Sequence, residues 1–483
     1  MIAGMVTGEL PGLEQVHVGD ASPERLLTVA APAALDDIRN GIAIARTMFA
    51  GHTVWSVNST AQGGGVAEML QSLVPYARGA GVDARWVVIT GDDKFFHVTK
   101  RIHNRLHGAS GDGGQLGPDE RDHYEDVARI NAERLLRLIA PSDIVMLHDP
   151  QTAGLIPLLR AAGLPVVWRC HVGVLEPNDL VRQAWDFLRP YVREANVAVF
   201  STQAFVWDGL DPARTAIIAP SIDPFSAKNC ELEPSTVSAI LDESGLIRDP
   251  AAQHPARFQR SDGGDGRIAH RSEVTEETTL APSTPLVLQV SRWDRLKDPA
   301  GVMRGFVDHV VDRCSAHLML AGPSVAHVTD DPEGLATAEA VQSAWRKLPL
   351  PVRERIHLVT LQMHDVEENA IVVNALQRHA HVVVQKSLAE GFGLTVAEAM
   401  WKGRPVVASR VGGIPDQIED GVTGCLVDPL DLVAFGENVA YMFTHPQAAR
   451  RMGRAAEERV RERFLGSRHL LQYLDLLSGL LRH

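Results

Sequence analysis

Short runs of β-branched and other apolar residues alternate with longer amphipathic stretches along the whole 483-residue chain. The runs at 53–58, 85–90, 143–148, 165–170, 197–201 and 215–219 predict strands in the first half, and those at 286–290, 317–321, 355–359, 381–385, 405–409 and 425–427 predict strands in the second. Strands that alternate with helical stretches build parallel sheets covered by helices. The pattern therefore predicts an α/β protein with two Rossmann-like halves. Residues 446–483 read as two helices. The last one carries Leu470, Leu471, Leu474, Leu476 and Leu477 near helical spacing, as a terminal helix packed on its own domain would.

Two stretches break the alternation. Residues 247–285 are rich in Asp, Gly, Arg, Ser, Thr and Glu, contain Ser261-Asp-Gly-Gly-Asp-Gly266 and show no sustained apolar period. Such a composition buries too little apolar surface to offset the entropy of ordering, so a mobile polar insertion is expected there. A second polar loop at 108–119 interrupts the first half.

The chemistry concentrates in Glu390-Gly391-Phe392-Gly393-Leu394-Thr395-Val396-Ala397-Glu398, between the run at 381–385 and a helix. A strand–turn–helix junction directs backbone N–H groups out of a helix N-terminus, which suits phosphate and sugar hydroxyls. Each glutamate alone also makes sense as a macrodipole partner. Arg292 and Lys297 follow the run at 286–290, at the strand edge where ligands bind open α/β sheets. Two cations there suit a diphosphate, although a solvated role is the ordinary one for either. Thr60-Ala-Gln-Gly63-Gly64-Gly65 follows the run at 53–58, and its glycines either let a ligand approach the backbone or simply make a tight turn. His171, just beyond the run at 165–170, is the histidine best placed for a catalytic role.

Composition narrows the classes. With 45% apolar and 22% charged residues the chain is globular, and its net charge of −13 argues against a nucleic-acid partner. The four cysteines show no C-x-x-C spacing, and neither a basic-apolar leader nor an 18-residue apolar run is present. A cytoplasmic protein without a membrane partner is expected. No D-x-D, H-E-x-x-H, G-x-S-x-G or P-loop motif occurs.

The two-glutamate element resembles the E-x7-E of the retaining, two-domain (GT-B) glycosyltransferases of family four. Longer stretches resemble the trehalose glycosyltransferring synthases and the related retaining trehalose phosphorylases: 57–68, 95–104, His148-Asp149-Pro-Gln-Thr-Ala-Gly154, Pro220-Ser-Ile-Asp-Pro224, Asp330-Asp-Pro-Glu-Gly334 and Gln385-Lys-Ser. The resemblance implies two Rossmann-like domains facing a deep cleft, at 1–222 and 223–465, with a final helix at 466–483 crossing back to the first. It also implies transfer of glucose, with retention, from a nucleoside diphosphate glucose to glucose, giving α,α-trehalose reversibly. No cofactor and no essential metal are implied, and a homodimer is compatible with it. The catalytic set would be His171, Arg292, Lys297 and Glu390. The donor would be held by Gly64, Gly65, Gly391, Phe392, Gly393, Leu394, Thr395 and Glu398, the acceptor by Asn58, Lys100 and Asp149. A phosphorylase would share the donor side with inorganic phosphate in place of the nucleotide, and a retaining glucosyltransferase with another small acceptor is a further alternative. The nucleotide base stays open.

Overall fold

The computed structural model describes residues 12–61, 64–324 and 332–482. The N-terminal residues 1–11, Gln62-Gly63 and Asp330-Asp331, noted in the sequence above, lie outside the described set. The chain forms two compact units. Ile222–Leu465 is one, and the residues up to Ser221 together with those from Gly466 onward are the other.

The seven-stranded sheet of the first unit runs in the order Glu14–Val16, Asp83–Val88, Thr53–Asn58, Ile144–His148, Val166–Cys170, Val197–Phe200, Thr215–Ile217. Only the first strand is antiparallel to its neighbour. The seven-stranded sheet of the second unit runs Glu273–Thr275, Ile356–Leu361, His317–Pro323, Leu286–Val290, Val382–Gln385, Val406–Ser409, Cys425–Val427, again with one antiparallel edge strand. Numbered along the chain, the parallel strands of this second sheet stand in the doubly wound order 3-2-1-4-5-6. Helices cover both faces, so Val287, Leu288, Val383, Val384 and Val407 are buried and the strands read as continuous apolar runs.

Every predicted run is a strand, with ends shifted by at most two residues; 85–90, for example, is Asp83–Val88. The strands that the pattern did not show, Glu14–Val16, Arg257–Gln259, Asp265–Arg267 and Glu273–Thr275, have three residues each and largely polar sequences. A stretch that short cannot display a period.

The polar segment 247–285 corrects an expectation. It is built into the second unit through a hairpin, Arg257–Gln259 with Asp265–Arg267, and through the edge strand Glu273–Thr275. Phe258 and Leu280 are buried. Arg260 pairs with Asp365 and, at 3.2 Å, with Glu367. Buried Glu368 accepts from the amides of Ala269 at 2.8 Å and His270 at 2.7 Å. Polar anchors to the helix Val366–His379 replace the missing apolar stripe.

The final helix, Gly466–Leu481, packs in the first unit against Leu35–Met48. Gly41 makes the approach close, because a Cβ there would lie 2.3 Å from Leu471 Cδ2. Tyr473 and Leu477 join the core on that face of the sheet. No helix among the described residues is long and apolar enough to cross a membrane, and none of the four cysteines is in a disulfide.

Candidate active site

In the second unit the strand order reverses between Leu286–Val290 and Val382–Gln385, which are direct neighbours. Loops leaving two such strands diverge to opposite sides and open a crevice at their carboxyl ends. Here those loops carry Arg292 to Lys297 and Lys386 to Glu390. They are joined by Leu388 N donating to Leu296 O at 2.7 Å. Lys297 Nζ lies 2.7 Å from Glu390 Oε1. The same carboxylate oxygen accepts from Ser387 Oγ at 2.8 Å and Gln385 Nε2 at 3.0 Å. Glu390 is buried, and burial pushes its carboxyl up, but the Lys297 charge and the three donors outweigh that and hold it below its ordinary value. It is therefore a fixed, charged carboxylate at neutral pH.

Arg292 is placed differently. Its side chain is 62% exposed and pairs with Asp294 at 3.2 Å. It shares the loop with Lys297 but is not drawn to Glu390.

The turn after Glu390 is shaped by glycines. Gly393 has φ +84° and caps the helix Leu394–Trp401, so Leu394 and Thr395 hold the first-turn amides that lack intrahelical acceptors. Phe392 is buried and stacks obliquely on Phe464, with ring centres 5.6 Å apart. A third loop, after Val406–Ser409, braces this turn. Gly413 N donates to Gly391 O at 2.7 Å, and a Cβ on Gly412 would fall 2.0 Å from Glu390 O. Buried Gln417 donates through Nε2 to Phe392 O at 2.5 Å. With their carbonyls tied down in this way, Gly391 and Phe392 are fixed in orientation.

Glu398 is buried in the same helix and is faced by other cations. Lys228 Nζ is 3.7 Å from its Oε1. Lys402 Nζ bonds the Glu398 carbonyl at 3.1 Å and Asn229 Oδ1 at 3.0 Å. Burial brings Lys402 down to about 7, partly opposed by the Glu398 charge.

In the first unit the order reverses between Thr53–Asn58 and Ile144–His148. Asp149, directly after the latter, has φ +64° and ψ 177°, a region that is nearly glycine-only. Its surroundings over-determine it. Its amide donates to Arg169 O at 2.7 Å, its carbonyl accepts from Trp168 Nε1 at 3.1 Å, and its Oδ1 accepts from His171 N at 2.8 Å. Burial raises the Asp149 carboxyl to about 7 against the His171 amide and the Arg169 charge. Burial and Arg169 together hold His171 well below its ordinary value, so its ring is neutral. The ring stacks on His148 at 5.6 Å, with Nε2 3.3 Å from His148 Nδ1.

Asp149 and His171 are thus joined by a hydrogen bond, whereas among the described residues the other first-unit candidates make none with either. Asn58 is buried and spends its side chain on Trp86 Nε1 at 2.8 Å and on Thr60 O at 2.7 Å. Lys100 stands exposed on the helix Asp93–Leu106. Gly64, with φ +98°, caps the helix that begins at Gly65, and a Cβ on it would meet nothing within 4 Å.

Comparison with known proteins fits this geometry. Residues 56–207 match the family model "Trehalose synthase, N-terminal domain", and residues 364–459 match "Glycosyl transferases group 1". The chain is 36% identical to a trehalose synthase of Pyrococcus horikoshii over 89% of its own length and 90% of that protein. It is 37% identical to one from Rubrobacter xylanophilus over 89% and 91%. The chain belongs to the trehalose synthase family. Its fold is that of the GT-B glycosyltransferases. A sucrose-phosphate synthase of Thermosynechococcus elongatus superposes with a TM-score of 0.62 at 16% identity, over 89% of this chain and 99% of that one.

Within this trehalose synthase family member, sequence reasoning missed Gly412, Gly413 and Gln417, together with Lys228 and Lys402. The first three had a visible signal, since Val411-Gly412-Gly413 follows a predicted strand just as the Glu390 turn does. Lys402 had one too, standing four residues after Glu398 on a predicted helix, whereas Lys228 had none, because it is far from Glu398 in sequence.

Proposed function

We propose that the protein is a retaining glucosyltransferase that moves glucose from a nucleoside diphosphate glucose to the anomeric hydroxyl of free glucose, forming α,α-trehalose reversibly. The observation that carries this reading is the Lys297–Glu390 pair, 2.7 Å apart at the reversal point of the second sheet. It joins a cation suited to a departing diphosphate with a carboxylate suited to a glucosyl group that becomes positive as its bond to the phosphate breaks.

Lys297 and the amides from Gly391 to Thr395 would stabilise the charge growing on the diphosphate. Arg292 would add to it, since an ion pair as exposed as its contact with Asp294 is weak and readily exchanged for a phosphate. Glu398 would hold the ribose hydroxyls. The departing phosphate oxygen would take the proton of the acceptor hydroxyl, so that attack and departure occur on one face of the sugar. In the first unit, neutral His171 and the Asp149 carboxyl would bind sugar hydroxyls. With side-chain cations and amides in that role, no metal is required.

The test is incubation with glucose and a panel of nucleoside diphosphate glucoses, in chelator, with chromatographic detection of trehalose. Trehalose from at least one donor, undiminished by chelator, is expected. A requirement for inorganic phosphate with no requirement for nucleotide would replace this reading with phosphorolysis.

A further inference from the structure

The last helix covers a buried guanidinium in the first unit that has no ion-pair partner among the described residues, with half-buried Arg468 and two buried histidines around it. Arg169, within the strand Val166–Cys170, is 0% exposed, and its Nε, Nη1 and Nη2 all lack a hydrogen-bond partner there. Its guanidinium lies 5.9 Å from the ring centre of Tyr473 and acts on the buried hydroxyl of that residue, opposing the burial that raises it. His469 stacks on Tyr473 at 5.1 Å. His469 Nδ1 bonds Ser221 Oγ at 2.8 Å, while Nε2 of both His469 and His148 is buried without a partner. Arg468 spends Nη2 on the carbonyls of Ala219 at 2.8 Å and Pro220 at 3.0 Å but leaves Nε unpartnered.

A guanidinium cannot shed its proton to escape burial. The histidines can. Burial, reinforced by Arg169, holds His148 down to about 3, and burial with Arg468 and Arg169 holds His469 well below its ordinary value. Each neutral ring then offers one N–H. Asp149 feels the Arg169 charge but is directed to the His171 amide, whose N–H its Oδ1 accepts at 2.8 Å, and it forms no ion pair with Arg169. The cluster's acceptors are one ring nitrogen of each neutral histidine and the Tyr473 hydroxyl, none of them charged. A water would satisfy some of these donors but would bring no charge, and an unpaired buried charge is costly to leave. A cavity of about 140 Å³ adjoins the cluster. Ser56, His148, Ser467 and Tyr473 form its polar side, and apolar residues such as Leu70 and Leu474 form the rest.

The geometry points to a small inorganic anion of halide size held by Arg169, Tyr473, His148 and His469, fastening the final helix onto the first sheet. This assignment is independent of the glycosyltransfer reading. It is tested by thermal unfolding at fixed ionic strength, with sodium gluconate replaced stepwise by chloride or bromide, alongside anomalous diffraction from bromide-soaked crystals. A saturating rise in Tm of about 2–4 °C is expected, with no such rise in R169M and with a bromide peak beside the Arg169 guanidinium. Equal responses of wild type and R169M, or density at Arg169 without an anomalous signal, would overturn it. If R169M does not fold, Tyr473→Phe and the wild-type diffraction decide the matter.

Discussion

Glu390 and Glu398 are both buried carboxylates of one turn–helix element, yet different cations face them. Lys297 reaches Glu390, while Lys228 and Lys402 attend Glu398. Separate partners allow separate roles. Glu390→Gln should chiefly lower kcat, by about 100-fold or more for loss of a preorganised charge. Glu398→Gln should chiefly raise the donor KM, by roughly 1–2 kcal/mol of lost hydrogen bonding. Steady-state kinetics distinguish the two, and small equal KM effects with kcat intact would reduce both residues to helix-terminus partners. Asp149 makes a second prediction. Its strained backbone, a cost of about 1–3 kcal/mol, was invisible in sequence because Asp149-Pro150 gives no sign of a positive φ. Its carboxyl is raised to about 7, so the folded state favours the protonated form. The sign follows: its stabilising contribution is full below the unfolded value near ~3.9 and is lost as pH rises to about 7. D149N should therefore gain Tm on wild type across that window and keep a constant lead above it. Parallel curves from pH 4 to 8 would remove the titration assigned to Asp149.

Among the elements, buried strands were legible and polar anchoring was not. Val382–Gln385 and Leu286–Val290 announce themselves because both faces are covered, so every position but Gln385 and Gln289 is apolar. The segment 247–285 hides its order because its contacts are hydrogen bonds and ion pairs to residues about a hundred positions away, such as Arg260 with Asp365 and the Ala269 and His270 amides with Glu368. Composition cannot register partners at that distance. Glu368→Ala should cost about 1–3 kcal/mol locally by leaving two amides unsatisfied. Hydrogen exchange followed by mass spectrometry should show faster exchange over 265–275 than in wild type, with the strand Leu286–Val290 unchanged. Equal protection in the two proteins would mean that the hairpin and the edge strand hold the segment without Glu368.

For the whole molecule, the sequence by itself determined the two Rossmann-like halves, the family and the principal turn. These depend on local pattern: strand periodicity, a glycine required at positive φ before Leu394, and motifs contiguous in the chain. Lys297 and Glu390 were named as candidates on the same ground, each standing just past an apolar strand. Only the tertiary structure decided that the two strands are neighbours and that the two side chains meet at 2.7 Å. It alone left Arg292 outside that pair, spent Asn58 on Trp86 and set the Gly412-Gly413 loop under the Glu390 turn. The return of the final helix to the first unit was expected from the resemblance, but the tertiary structure alone set it over Arg169. The reason is physical. Pattern reports which residues leave water, whereas strand order and long-range packing choose which of the buried polar groups face one another.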